Sequence, residues 1–593
     1  MLKDGCSDLI LERSAPVNGS GWARDDVCPT YGFNKESRLY TSCDVEDVFD
    51  CVSRVCTLGG PCSPHKSDPR YRSALPLIKL VDEPVGGRPR VRSKFSFHLP
   101  PDYRFLYPAA PLAYYFGASI ETDEEPHIAF RSAEPMRLPG LAGLEEWMGD
   151  MLRRAFYLDC AVRHARFWGE TLNGMGVQEL LGREADEVFD MDAGDRLMLY
   201  EGLKSGVPEL PAWHMEAHLD PVAESVEALP FLLRPLSAIY MPRCMPVTER
   251  ALVSRAVHEF LGGQSQFRDT GAVGAEAVVL PAFHGAGSKL WFSGGFPVAA
   301  AKSSVRAFLN RRKYAAVNRR MRVGVICNDP AMEEEVDAII DALSDAPISL
   351  QVYWNSDISG FHNIFARGFD IVQLIGHCDD RGFRCHDGPA LIEDIGENRT
   401  PMFFFNSCSS YREAARLIDK GSVCGVATFF RVLEEAAVDV CRNFYLLLGE
   451  GYTASMAMGA AMECSVLGKE YLLLGDGSYD CFGRGDIRRL YRVFRNGKAY
   501  RLGCTMSNTD KGYVVRSWSA EGEKAVSDLG FETGDISGEH LASIAPKFDG
   551  CCIYGRSIYK NVEEAVLKAR EDELEPRRSP AGYRRGRTRR YYG

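Results

Sequence analysis

The sequence predicts an α/β protein: a three-layer αβα domain with a mostly parallel sheet over residues 301–485, plus an N-terminal α/β region and a small C-terminal β-rich domain. Three observations predict it. From Met321 onward, apolar runs of strand length alternate with single helices, the pattern of parallel strands joined by crossovers. Two of those runs, Ile371–Asp380 (IVQLIGHCDD) and Phe403–Tyr411 (FFFNSCSSY), break off at a reactive side chain, His377 and Cys408. After about residue 485 the alternation becomes apolar–polar with few helices, which favours antiparallel strands.

Taken in order, residues 1–75 hold many Gly, Pro, Ser and Asp and read as an irregular, Cys-containing leader. Six of the 19 cysteines lie there: Cys6, Cys28, Cys43, Cys51, Cys56 and Cys62. The spacing Cys51-x4-Cys56-x5-Cys62 with His65 lacks the paired CxxC knuckles of a zinc site, so free thiols are expected and no metal is assigned. Residues 76–300 read as an α/β accessory or regulatory region. Phe95–Leu99 alternates like a strand, Tyr107–Ile120 is a small-residue helix leading to another strand, and Leu144–Trp168 carries apolar residues at helical spacing. Further helical stretches run through Pro221–Ala228 and Glu249–Leu261.

In the third segment Arg322–Cys327 is a strand. Asn328, Asp329 and Pro330 cap a helix, Ala331–Leu343, with Glu333, Glu334 and Glu335 in its first turn, where the helix dipole favours acids. Ile348–Trp354, Asp370–Ile375, Pro401–Asn406 and Val423–Phe429 follow as strands, with helices at Phe361–Arg367 and Tyr411–Lys420. Helices Leu433–Leu448 and Thr453–Glu463 precede a last strand, Tyr471–Leu474, that turns at Gly475-Asp476-Gly477. Residues 486–570 form the β-rich domain, from Leu490–Phe494, Ala499–Thr505, Gly512–Trp518 and Cys551–Tyr554, with a final helix Val562–Lys568. Residues 571–593 are an Arg-rich tail expected to be disordered.

Bulk properties narrow the function. A chain of 593 residues exceeds one core, and its 45% hydrophobic and 25% charged content is ordinary for a folded soluble protein. No uncharged apolar run reaches the roughly 18 residues a bilayer span needs. The start, MLKDGCSDLILERSAP, does not read as a secretory signal, so a cytoplasmic protein with reduced thiols and no membrane contact is expected. Net charge is −11; seven Arg in the last 17 residues leave the remainder near −18, which disfavours nucleic acid as a partner.

Two parallel neighbours ending at one sheet edge would bring the His377 imidazole and the Cys408 thiol together. A thiol beside a helix N-terminus meets unpaired N–H groups that stabilise thiolate and a developing oxyanion. An imidazole beside it takes the thiol proton and returns it to the leaving amine. Three other readings compete: an inert core cysteine beside a loop histidine; a zinc site from Cys378, Cys385, His386 and Cys408; and Asp379 and Asp380 as a pocket for a basic substrate side chain. No GxSxG, HExxH or GxxxxGK[ST] motif is present, and His284-Gly285-Ala286-Gly287 reads as a turn.

The stretches DIVQLIGHCDDRG, FFFNSCSSYREAARLIDKGSVCGVATF, FYLLLGEGYTASMAMGAAM and YLLLGDGS, in that order over about 321–480, resemble the CHAT domains of the caspase-like cysteine peptidases (clan CD). More loosely, YPAAPLAYYFGASI and the stretch around Ala155–Cys160 are similar to the N-terminal part joined to CHAT domains in halophilic archaeal proteins. The resemblance implies a caspase-like fold and an endopeptidase with Cys408 as nucleophile, His377 as general base and no cofactor. It implies an oxyanion site from the backbone N–H groups of Cys378 and Cys408. The expected partners are a protein or peptide substrate and a regulatory protein engaging the N-terminal region. Two departures stand out: the family's His-Gly is His377-Cys378 here, and Ser409-Ser410 replaces a small Gly after the nucleophile. The alternative they support is a caspase-like scaffold that binds partners without turnover.

Overall fold

A computed structural model describes residues 37–574, apart from 59–61, 83–92, 132, 170, 173–175, 204–209, 211, 253–273, 275, 315–319, 345–347, 431–433, 466–469, 483–487, 508–513, 520–521 and 528–530. Residues 1–36 of the expected leader, most of the expected helix Glu249–Leu261 and the tail beyond 574 therefore lie outside the described residues. The chain divides into two compact units. One is built mainly from residues up to Leu210 and from Leu219–Met241, the other from Pro211–His218 and the chain after Pro242.

In the first unit, strand β1 (Arg38–Thr41) and helix α1 (Val45–Leu58) occupy the segment whose composition suggested an irregular leader. The reason is that its cysteines act as apolar residues. Val48, Cys51, Val52, Val55 and Cys56 form one buried face of α1, and burial pushes the Cys51 and Cys56 thiols up to about 12. Strand β2 (Leu77–Leu80) pairs in parallel with β1. Next come β3 (Phe95–Leu99), α2 (Tyr103–Phe116), β4 (Ser119–Thr122), β5 (His127–Phe130), β6 (Met136–Arg137) and α3 (Leu141–Trp168). Asp102 caps α2 by accepting from the Arg104 N–H, and Gly117 ends it at φ +67°, a left-handed turn open to glycine. The strands form a sheet of order β4-β3-β5-β6. Asp159 of α3 is fully buried; its carboxylate accepts from Tyr115 (2.7 Å) and Tyr200 (2.6 Å) and lies 3.1 Å from Arg196 Nε, also fully buried.

The second unit begins with β7 (Met215–His218), β8 (Ser288–Trp291) and β9 (Ala301–Lys302). Then follow β10 (Met321–Cys327), α4 (Glu333–Ala342), β11 (Ile348–Trp354), α5 (Ile358–Ala366), β12 (Ile371–Ile375), β13 (Cys378–Asp379), β14 (Gly382–Cys385), β15 (Gly388–Ala390), β16 (Met402–Asn406), α6 (Tyr411–Asp419), β17 (Cys424–Thr428), α7 (Glu434–Gly449), α8 (Ala454–Cys464) and β18 (Tyr471–Gly475). In the large sheet these run in the order β11-β10-β12-β16-β17-β18-β9-β8-β7. Neighbours are parallel throughout except β17 and β18, which are antiparallel. The expected α/β class with a mostly parallel sheet is the observed one.

One expected border shifts. Residues 76–300 read as a region separate from the sheet, yet β7 and β8 lie within that span and extend it. These four-residue strands are too short for periodicity to register. The central strands β10, β12, β16, β17 and β18 are buried almost end to end, as the uninterrupted runs VGVIC, IVQLI and MFFFN require. A further core holds Tyr491, Leu502, Cys504, Phe548, Cys552 and Val566 around strands Arg488–Asn496, Ala499–Ser507 and Cys552–Tyr554. That β region is not wholly antiparallel, because Arg488–Asn496 and Cys552–Tyr554 pair in parallel.

Candidate active site

Strands β12 and β16 are parallel neighbours in the register Ile371↔Met402 through Ile375↔Asn406. His377 and Cys408 each follow the last pair by two residues, so they leave the sheet at one edge from adjacent strands. The open edge of a parallel sheet, beyond the carboxyl ends of its strands, is where such folds build sites.

His377 is held by its neighbours. Gly376 before it sits at φ +153°, a backbone state that side chains disfavour. Asn328, directly after β10, joins three segments here. Its N–H donates to Ile375 O (3.0 Å), its Nδ2 to Arg384 O (3.0 Å), and its Oδ1 accepts from Ser356 N–H (2.9 Å). His377 Nε2 lies 2.8 Å from Asp329 Oδ2, while Asp329 Oδ1 accepts from the Ala331 N–H at 3.0 Å. That backbone bond and the His377 partner hold the Asp329 carboxyl below its ordinary value. With Nε2–H given to Asp329, Nδ1 is the nitrogen left for proton exchange.

Sequence reasoning read Asp329 as a helix cap and missed it as the partner of His377. The two roles use the two oxygens of one carboxylate, and the only advance signal was its place at the end of a strand beside β12.

Cys408 lies in a turn, half-buried, between β16 and α6. The turn is pinned from below: Thr428 Oγ1 donates to Ser407 O (2.5 Å), Ser410 Oγ donates to Phe405 O (3.3 Å) and accepts from Thr428 N–H (3.2 Å). Tyr471 OH donates to Asn406 Oδ1 at 2.9 Å. Ser409 takes φ +56°, left-handed for a residue other than Gly, immediately after Cys408. Such a conformation costs on the order of 1 kcal/mol and persists only where the surroundings impose it.

Past His377 the chain forms the small antiparallel sheet β13-β14-β15. Arg384 N–H donates to His377 O at 2.9 Å, so 377/384 is a hydrogen-bonded pair and the adjoining 378/383 pair is not. The Cys378 N–H therefore points away from β14. Burial, with Glu413 and Asp379 adding to it, pushes the Cys378 thiol up to about 12, and burial pushes Cys385 to about 11. Both side chains are held as neutral thiols.

The zinc alternative lacks its geometry. Cys378, Cys385, His386 and Cys408 do not form a ligand cluster among the described residues; Cys385 Sγ is 3.6 Å from Asn328 Nδ2, and His386 Nδ1 is 3.3 Å from Asn355 Nδ2. Asp379 is paired with Arg381 (3.0 Å) and Asp380 lies 3.7 Å from Arg412, so both acids already face arginines. His284 donates its backbone N–H to Glu216, as does Ala286, fastening the turn 284–287 over β7. No described helix is long and apolar enough to cross a membrane.

No family model matches the chain, and no curated protein matches it in sequence. Among solved structures it is similar to the Arg-specific cysteine proteinase gingipain R (RgpB), at 11% identity and TM-score 0.31, over 51% of this chain and 86% of that one. It is similar in the same degree to the complex of Porphyromonas gingivalis RgpB pro- and mature domains, over 49% and 86%. A likeness of that size carries no inference about the chemistry of this chain.

Proposed function

We propose that the chain is a caspase-like cysteine endopeptidase of the CHAT type, acting through Cys408 and His377. The observation that carries the reading is the shared edge: the β12/β16 register brings both residues out of adjacent strands, with the His377 ring oriented by Asp329.

In this reading His377 Nδ1 accepts the thiol proton as Cys408 Sγ attacks the peptide carbonyl carbon. The resulting oxyanion is met by the N–H groups of Cys378 and Cys408. His377 returns the proton to the amine as the C–N bond breaks, leaving a thioester on Cys408. Water, deprotonated by the same imidazole, hydrolyses the thioester and restores the thiol. Asp329 is a positioning residue: it fixes the tautomer and stabilises the imidazolium that forms between the steps. The regulatory partner engaging the N-terminal region belongs to the same proposal.

Competitive alkylation with iodoacetamide, read by peptide mass spectrometry, tests it. Cys408 is expected to react faster than the exposed thiols Cys43 and Cys62, and His377→Ala should slow Cys408 alone. Equal rates at the three cysteines, unchanged by His377→Ala, would leave the second reading, a binding scaffold without turnover. That reading draws support from Cys378 and Ser409, which stand where the resemblance leads one to expect small glycines.

A further inference from the structure

We infer that the first unit carries a binding site for a divalent transition-metal ion of the zinc class, formed by His98, Asp123 and His127. The site is independent of Cys408 and His377. Its three residues come from adjacent strands and the turn between them: His98 of β3 stands in register with His127 of β5 and with Glu121 of β4, and Asp123 follows β4 directly. One ligand atom from each residue lies within 4.8 Å of the others. His98 Nδ1 faces Asp123 Oδ2 at 3.7 Å.

The second nitrogen of each ring is already engaged. His98 Nε2 bonds Ser96 Oγ at 2.9 Å, and His127 Nδ1 bonds the Glu125 carbonyl at 2.9 Å. A histidine that ligates a metal ordinarily ties its other ring nitrogen to a carbonyl, carboxylate or hydroxyl in this way, which fixes the tautomer and leaves a lone pair for the ion. For His127 the donor must be Nδ1–H, because a carbonyl only accepts, so Nε2 presents the lone pair.

The electrostatics agree. Glu121, Asp123, Glu124 and Glu125 put four acids within five residues of the site. The two rings stack with centroids 4.6 Å apart and planes at 11°. Tetrahedral bonds of about 2.1 Å place ligand atoms about 3.4 Å apart. Since no two of the three atoms are more than 4.8 Å apart, binding closes each gap by at most about 1.4 Å, and the two stacked rings turn so that their in-plane lone pairs converge on the ion. Two imidazoles and one carboxylate suit zinc, cobalt or nickel better than calcium or magnesium, and leave a coordination position to solvent.

The test titrates the full-length, metal-stripped chain with Co²⁺ after its accessible thiols are alkylated. Saturable uptake is expected with a ligand-field spectrum and no thiolate charge-transfer band. Asp123→Asn and His127→Ala should each weaken it roughly ten-fold or more, with metal-free circular dichroism unchanged. His284→Ala is the control, since Glu216, His218 and His284 form the other such cluster among the described residues. Uptake that survives both Asp123→Asn and His127→Ala, uptake lost only in His284→Ala, or no saturable uptake at millimolar Co²⁺ would each overturn the assignment.

Discussion

Replacing Asp329 with Asn removes one charge and almost nothing else. Asn is as good a helix cap as Asp, so the bond from the Ala331 N–H to Oδ1 survives and the stability change should stay within about 0.5 kcal/mol. What changes is the other end of the group. With Oδ1 held by Ala331, the amide turns its NH₂ toward His377 Nε2, now a donor facing a nitrogen that must accept. The imidazole proton moves to Nδ1, the nitrogen that the proposed mechanism uses to receive the Cys408 proton. A charge-assisted hydrogen bond contributes about 1.5–3 kcal/mol. The ring is 43% exposed, which favours the lower part of that range. A loss of about 2 kcal/mol is a roughly 30-fold slower reaction. The assay is the second-order rate of Cys408 alkylation by iodoacetamide at neutral pH, with urea unfolding run in parallel. Equal rates in Asp329→Asn and parent would refute the argument that this carboxylate orients the base.

Other outcomes follow from the same geometry. Gly376→Ala should cost on the order of 1–3 kcal/mol in urea unfolding, because φ +153° disfavours a side chain even though the nearest atom to an added Cβ, in Asn328, is 3.5 Å away. Asn328→Ala removes the bonds to Arg384 O and from Ser356 N–H and should cost about 2–3 kcal/mol while slowing Cys408 alkylation. Burial pushes the Glu335 carboxyl up to about 7 from 4.5, so the folded state holds its proton more tightly than the unfolded chain. Stability should therefore fall as pH rises from 4.5 to 7 and stay reduced above that. Glu335→Gln should be stabilising by on the order of 3 kcal/mol at pH 8 and near neutral at pH 4.5, read by urea unfolding at both. Arg196→Ala would strand the buried Asp159 carboxylate and should cost about 3–5 kcal/mol, seen as a lowered melting temperature.

Local pattern was sufficient wherever one segment settles its own structure. The strand Ile348–Trp354 has its expected bounds, and Met321–Cys327, Ile371–Ile375 and Met402–Asn406 differ from theirs by one residue. Helix Glu333–Ala342 starts two residues later than expected, because Asp329 caps a short 3-10 turn, Pro330–Met332, that leads into it. The positions of His377 and Cys408 just beyond two such strands were legible for the same reason: each run gives way to a turn-forming residue, Gly376 or Ser407, directly before them. Cys51 and Cys56 were misread because cysteine serves equally as a core residue and as a loop residue, and only packing distinguishes the two.

By itself, then, the order of apolar runs, caps and breaks determined an α/β architecture with a thiol and an imidazole at strand ends. Tertiary structure decided which strands lie side by side, that β7–β9 extend the sheet through the antiparallel step at β17 and β18, and that Asp329 faces a histidine 48 residues away. Periodicity reports the face a residue presents within its own element. Strand order and long-range pairing depend on how buried faces fit one another across the sheet, and no short window of sequence contains that fit.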